Sequence, residues 1–199
     1  MAEQPDVEIP VEDSNDDELE TPGYKPPAKK TLEEIQQQDA DDESLVRYKK
    51  TLLGQVEKLK DDGGPNVIVQ KLNINMSGGP AMELDLTGEL SQLKKKPFIF
   101  KEKAPYKVQI TFRVQREIVA GLRYSQKTYR KGIKVDSAAC MVGSYGPKVE
   151  SYEYLTPEEE TPSGLVARGH YNVKSQFLDD DKNVILEWEW AFEIKKDFA

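Results

Sequence analysis

The chain holds one cysteine, Cys140, and one histidine, His170, in 199 residues. A lone thiol excludes an internal disulfide and a cysteine-based zinc site, and it suits a reducing, cytosolic setting. A lone imidazole makes His170 the one candidate for a histidine-dependent nucleophile. No nucleophile elbow or catalytic signature surrounds Cys140 or any serine, and Gly169-His-Tyr171 reads as a stretch of strand with a surface histidine. Walker, dinucleotide-glycine and HExxH patterns are absent. Asp179-Asp180-Asp181 lacks the further oxygen ligands of an EF-hand and reads as a solvated turn. The opening MAEQPDVEIP has neither a basic nor an apolar region, so it is not expected to act as a signal peptide. No run approaches the ~18–20 apolar residues that cross a bilayer. These absences point away from an enzyme and from any metal or cofactor.

Aromatics are scarce in the first third. Of 17, only Tyr24 and Tyr48 precede residue 65. Residues 1–64 carry 18 acidic and 8 basic side chains, a balance of -10, whereas residues 65–199 carry 18 and 20, a balance of +2, within the net charge of -8. Few aromatics and excess charge leave too little apolar area to offset chain entropy. The sequence therefore divides into a disordered acidic tail over 1–23, an arm over 24–64, and a folded domain over 65–199. Within the arm, Thr31-Leu-Glu-Glu34 fits a capping box opening a short helix through about Gln38. A second helix is capped by Asp41 or Asp42, carries Leu45, Tyr48, Leu52 and Leu53 on one stripe, and ends at Gly54. Both are shorter than the ~12–15 residues that are marginal for an isolated helix. They need a surface, either the chain's own domain or a partner. A negative chain is a poor ligand for nucleic acid.

From residue 65 the period changes to two. Tyr106, Val108, Ile110, Phe112 and Val114 alternate with polar residues, as do Leu186, Trp188, Trp190, Phe192 and Ile194. This is the pattern of half-buried antiparallel strands. Further strands are predicted at 66–76, 82–87, 98–102, 118–130, 149–154 and 165–177. Turn signals lie at 61–65, 77–80, 143–147, 161–164 and 179–183. Eight or nine strands without intervening helices predict an all-β sandwich. The Trp188, Trp190 and Phe192 face is either filled core or the wall of a ligand pocket, since both use the same inward residues. Glu158-Glu159-Glu160 reads as a polar loop, with a basic partner segment as the alternative.

Six collinear strings carry a resemblance: Tyr24-Lys-Pro-Pro27, Asp41-Asp-Glu-Ser-Leu45, Leu84-Asp-Leu-Thr-Gly88, Tyr129-Arg-Lys-Gly132, Met141-Val-Gly-Ser-Tyr-Gly-Pro147 and Leu186-Glu-Trp-Glu-Trp190. From about residue 24 onward the chain resembles the Rho GDP-dissociation inhibitors. The resemblance implies an immunoglobulin-like β-sandwich that takes the geranylgeranyl chain of a Rho-family GTPase between its sheets. It also implies an N-terminal arm that folds into two short helices on the GTPase switch regions. By the same resemblance the lipid pocket would be lined by Ile74, Phe98, Tyr106, Ile118, Tyr129, Val173 and Trp190, with Leu52 and Leu53 closing its mouth. Asp42, Ser44, Tyr48 and Asp181 would face the switches, while Asp136, Glu159 and Glu160 would face the GTPase's basic tail. The implied protein is cytoplasmic, monomeric in a one-to-one complex with a GDP-bound prenylated GTPase, and needs no cofactor. The competing expectation is a general carrier of prenylated proteins that uses the pocket alone.

Overall fold

The structure, a computed structural model, describes Glu34, residues 42–44, Arg47 and residues 63–198. Glu34, Glu43, Ser44 and Arg47 have helical backbone. The Ser44 N–H donates to Asp42 Oδ1 at 2.9 Å, the bond expected of an N-cap. Tyr48, Leu52 and Leu53 lie outside the described residues.

Ten strands occur among the described residues: β1 Val67–Met76, β2 Met82–Asp85, β3 Phe98–Lys101, β4 Pro105–Val114, β5 Val119–Arg130, β6 Ile133–Tyr145, β7 Tyr152–Leu155, β8 Glu159–Glu160, β9 Gly169–Leu178 and β10 Val184–Lys195. They form two sheets. One runs β2-β1-β4-β7, with β8 also paired to β4, and the other runs β3-β10-β9-β5-β6. Every neighbouring pair is antiparallel except β3 and β10. The expected all-β sandwich is what the chain forms.

The alternating residues face inward as their period requires. On β4, Val108, Ile110, Phe112 and Val114 are buried, and on β10 so are Trp188, Trp190 and Ile194. On β1 the parity changes midway: Val67 and Val69 are buried, then Leu72, Ile74 and Met76. A bulge between Val69 and Lys71 absorbs the extra residue and keeps both halves on the core face. Inter-sheet aromatics gather at two ends. Phe112, Tyr145, Tyr152 and Phe177 meet at one, with ring centroids 4.6–5.6 Å apart. Phe98, Phe100, Tyr106, Tyr171, Trp190 and Phe192 meet at the other.

Two expectations need correction. Residues 133–145 form the long strand β6, although 143–145 had the look of a turn and the rest showed no alternation. It is a sheet edge, largely exposed and rich in small residues, so it has no buried face to impose a period of two. It pairs to β5 through a two-residue link, Lys131 (φ 50°) and Gly132 (φ 80°), whose positive φ values match a primed hairpin turn. Residues 165–168, expected in a strand, form a loop before β9.

The arm joins the sandwich at the Phe112 end. Gln115, almost fully buried, donates from Nε2 to the carbonyls of Gly63 (3.0 Å) and Pro65 (2.8 Å). Asn66 Oδ1 accepts the N–H groups of Arg116 and Glu117 at 2.9 Å each. Replacing Gln115 with Ala leaves those two carbonyls without this donor. The expected cost is about 1–3 kcal/mol in urea unfolding, with faster amide exchange around residues 63–66.

Candidate functional site

At the end of the sandwich away from residues 63–66, the two sheets part around a cavity of about 560 Å³. Trp190, Phe192 and Ile194 of β10 line it together with Phe100 of β3, Tyr106 of β4 and Tyr171 of β9. The same inward stripe of β10 is filled core at Trp188, which stacks on Tyr124 at 6.1 Å, and cavity wall at Trp190. The choice between core and pocket thus has a different answer two residues apart.

The rim is acidic. Asp136, Glu159 and Glu160 border the opening. A bulge on the β5–β6 ladder, between Thr128 and Tyr129, brings both Val135 and Asp136 to the opening. Glu159 and Glu160 form β8 rather than the expected free loop, pairing with Tyr106 and Pro105. The buried Thr161 hydroxyl anchors that segment, accepting the Ala104 N–H at 3.0 Å and donating to the Lys101 carbonyl at 2.5 Å.

Polar groups hold the aromatic wall in place. The Tyr106 hydroxyl donates to the Glu159 carboxylate. Burial first, and then the neighbouring Glu159 charge, push the Tyr106 phenol far above its usual range, so it remains a donor. Trp190 Nε1 donates to Ser175 Oγ at 3.1 Å, and Ser175 Oγ also meets the Tyr124 hydroxyl at 3.2 Å. The residues 163–168 beside the cavity are braced by Glu102, which accepts from Arg168 Nη2 (2.8 Å), Arg168 Nε (3.0 Å) and the Gly164 N–H (3.1 Å). Arg130 donates to the carbonyls of Val166 and Arg168 and lies 5.2 Å over the Tyr171 ring.

Of the residues singled out in the sequence, Tyr106, Trp190, Asp136, Glu159 and Glu160 come together here. Phe98 stands behind Trp190, with ring centroids 6.2 Å apart. Ile74 shares with Tyr106 an adjoining hollow of about 510 Å³. Tyr129 and Val173 border a separate cavity of about 270 Å³ with Lys94 and Glu189. Ile118 is exposed in the β4–β5 link at the arm end, and Asp181 is exposed in the β9–β10 turn at that same end. Asp42 and Ser44 are exposed. Ser175, Thr161, Arg130 and Gln126 carry the site without having been picked out. Ser175 and Gln126 had a legible signal, a polar residue on the inward parity of β9 and of β5.

His170 is exposed, opposite Glu193 on the β9–β10 ladder. In the β9–β10 turn, Asp179 Oδ1 accepts the N–H groups of Asp181 (3.0 Å) and Asn183 (2.9 Å), and Asp180 pairs with Arg123 at 3.4 Å. These carboxylates shape a turn, and no metal-ligating cluster occurs among the described residues. No helix among the described residues is long and apolar enough to cross a membrane.

A cavity between two sheets, aromatic within and bordered by carboxylates, has the make-up of a ligand-binding site. A family model described as RHO protein GDP dissociation inhibitor matches residues 10–197, and the chain belongs to that family. Its members are regulatory inhibitors and not enzymes. The chain is 53% identical over 185 residues to Rho GDP-dissociation inhibitor 1 of Rattus norvegicus, covering 92% of this chain and 91% of the relative. The human protein of that name is 52% identical over the same length and shares. Rho GDP-dissociation inhibitor 3 of Bos taurus is 48% identical over 192 residues, 96% of this chain and 84% of the relative.

Two outcomes test the geometry. Ser175→Ala removes the acceptor of the buried Trp190 indole, and is expected to cost about 1–3 kcal/mol in urea unfolding, with a shift in tryptophan emission. The Glu102 carboxyl is lowered from 4.5 to about 2, first by the Arg168 hydrogen bond and then by the Gly164 N–H. Because the folded value lies below the unfolded one, the brace is fully present above about 4.5 and is lost as pH falls through about 2. An NMR titration of the Glu102 side chain should show a midpoint near 2 that returns toward 4.5 in Arg168→Gln.

Proposed function

We propose that this chain is a Rho GDP-dissociation inhibitor that binds geranylgeranylated, GDP-bound Rho-family GTPases, slows GDP release, extracts them from membranes and keeps them soluble in the cytosol. The observation that carries the reading is the acidic-rimmed cavity of about 560 Å³, built in a chain that belongs to this family. That volume lies within the ~300–1,000 Å³ of small-ligand sites. Burying a prenyl chain is worth about 0.8 kcal/mol per methylene-sized group, so 20 carbons supply more than ~10 kcal/mol gross. Most of that only offsets what the bilayer gave, so the net pull comes from other contacts. Asp136, Glu159 and Glu160 at the mouth supply one, by competing with anionic lipid for the basic segment next to the prenyl group, each basic residue near a membrane being worth about 1 kcal/mol.

The arm and the immunoglobulin-like sandwich share the work. In this reading Asp42, Ser44 and Tyr48 of the arm over 24–64 engage the switch regions together with Asp181 of the sandwich. Asp42 and Ser44 offer hydrogen-bonding groups, and Tyr48 offers apolar area. Holding the switches in one arrangement retains the nucleotide, and the effect is limited to the arm's differential affinity for that arrangement. The ten residue-to-residue steps from Leu53 to Gly63 can span at most ~33–36 Å, against roughly 34 Å for a ten-residue strand. That reach lets Leu52 and Leu53 cover the mouth at the far end. Ile74, Phe98, Ile118, Tyr129 and Val173 complete the lipid-contacting set of this reading. Residues 1–23 form its acidic tail, and the complex is one to one.

Among the described residues the cavity lining belongs to the sandwich, which favours a general carrier of prenylated proteins as the second reading. One experiment separates them: fluorescent GDP release from geranylgeranylated and unprenylated Rho GTPase, with the full chain and with residues 1–55 deleted. The inhibitor reading expects slow release with the full chain and restored release after deletion. Equal inhibition without the arm would leave the carrier. No uptake of the prenylated form would end both.

A further inference from the structure

Beside the cavity mouth the structure presents aliphatic side chains to water on segments that are held firmly. Leu165 is 82% exposed and Val166 85%, at the tip of residues 163–168. Across from them, Ile133 is 70% exposed and Val135 51% at the start of β6. Arg130 ties the two segments together, because it pairs with Ile133 on the β5–β6 ladder and donates to the Val166 and Arg168 carbonyls. The Tyr171 hydroxyl donates to the Ala167 carbonyl at 2.6 Å, and Glu102 grips Gly164 and Arg168 from the other side. Such bracing fixes the backbone while leaving four aliphatics outward, although none of the bonds requires Leu165 or Val166 to be apolar.

We propose that this rim is a bilayer-docking surface: Leu165, Val166, Ile133 and Val135 enter the headgroup region of an anionic membrane and place the cavity mouth against the lipid. This rests on the prenyl-binding reading above and says how the mouth reaches a chain still embedded in the bilayer. Three observations choose the occupant. The patch is continuous with the cavity, since Val135 belongs to both. It is flanked by Lys131 and Lys134 on the hairpin and by Lys103, whose N–H donates to the Thr161 carbonyl next to the loop. Aliphatics edged by lysines are the composition of interfacial membrane contacts, where apolar burial and attraction to anionic lipid act together. The carboxylates Asp136, Glu159 and Glu160 border the mouth inside this aliphatic edge and await the basic segment next to the prenyl group. The acidic charge of the whole chain keeps such docking transient.

The test uses the full chain and three readouts. The first is flotation with phosphatidylcholine vesicles containing phosphatidylserine. The second is the rate at which the protein removes a geranylgeranylated peptide from those vesicles. The third is affinity for the same peptide free in solution. For Leu165→Ser combined with Val166→Ser, flotation and removal rate are expected to fall at least about tenfold, while solution affinity moves by less than about twofold. Ile133→Ser should act in the same direction, and raised salt should weaken flotation of the unsubstituted chain. Unchanged flotation overturns the proposal. So does a parallel loss of solution affinity, which would assign these side chains to the cavity. Weakened binding to unprenylated Rho GTPase with flotation intact would assign them to a protein contact instead. If the unsubstituted chain takes up no peptide in solution, the prenyl reading fails, and flotation still decides the membrane surface.

Discussion

The contact between Trp190 and Ser175 sits where the fold and the cavity depend on one another. Trp190 lies on the inward face of β10, and its indole Nε1 finds an acceptor in Ser175 Oγ on the neighbouring strand β9. A buried indole N–H without a partner costs free energy, so the serine fixes the ring as well as satisfying it. The ring then forms a wall on which Phe98 and Phe100 lean at 6.2 and 6.3 Å. Two residues earlier on the strand, Trp188 stacks on Tyr124 of the same sheet and is almost fully buried. The sandwich is filled where Phe112 and Phe177 meet and hollow where Trp190 stands, without any change in the alternation that builds it.

Antiparallel pairing separates the tasks in space. Strands β4, β5, β9 and β10 all run the length of the sandwich, so the arm junction, the β4–β5 link and the β9–β10 turn share one end. The β5–β6 hairpin, β8 and residues 163–168 share the other. The junction at residues 63–66 and the cavity therefore lie at opposite ends of the sandwich. Within the cavity end charge divides again: carboxylates line the opening, and the lysines of the hairpin flank its outer edge.

How much of this was legible in the sequence depends on burial. Strands with one face in the core, such as β4 and β10, announced themselves, because a period of two is the imprint of a half-buried ladder. Strand β6 did not, because an exposed edge with a bulge at Val135 keeps no such period. The rim carboxylates were visible as charge, and the resemblance gathered Asp136 with Glu159 and Glu160 although they lie far apart in sequence. Thr161 and Arg130 were invisible, since their roles are hydrogen bonds to backbone carbonyls that only the folded loops bring near.

By itself, the sequence determined an all-β domain behind an acidic arm, the absence of a catalytic constellation, and the inward stripe that ends in Trp190. Those follow from composition and periodicity, which are properties of the chain read residue by residue. Only the tertiary structure decided that the stripe is core at one tryptophan and cavity at the next. The same aromatic face can close on a partner or stand away from it, and the difference is the spacing of two sheets. Around the cavity stand β6, β8 anchored through Thr161, and the loop that Glu102 and Arg168 hold in place.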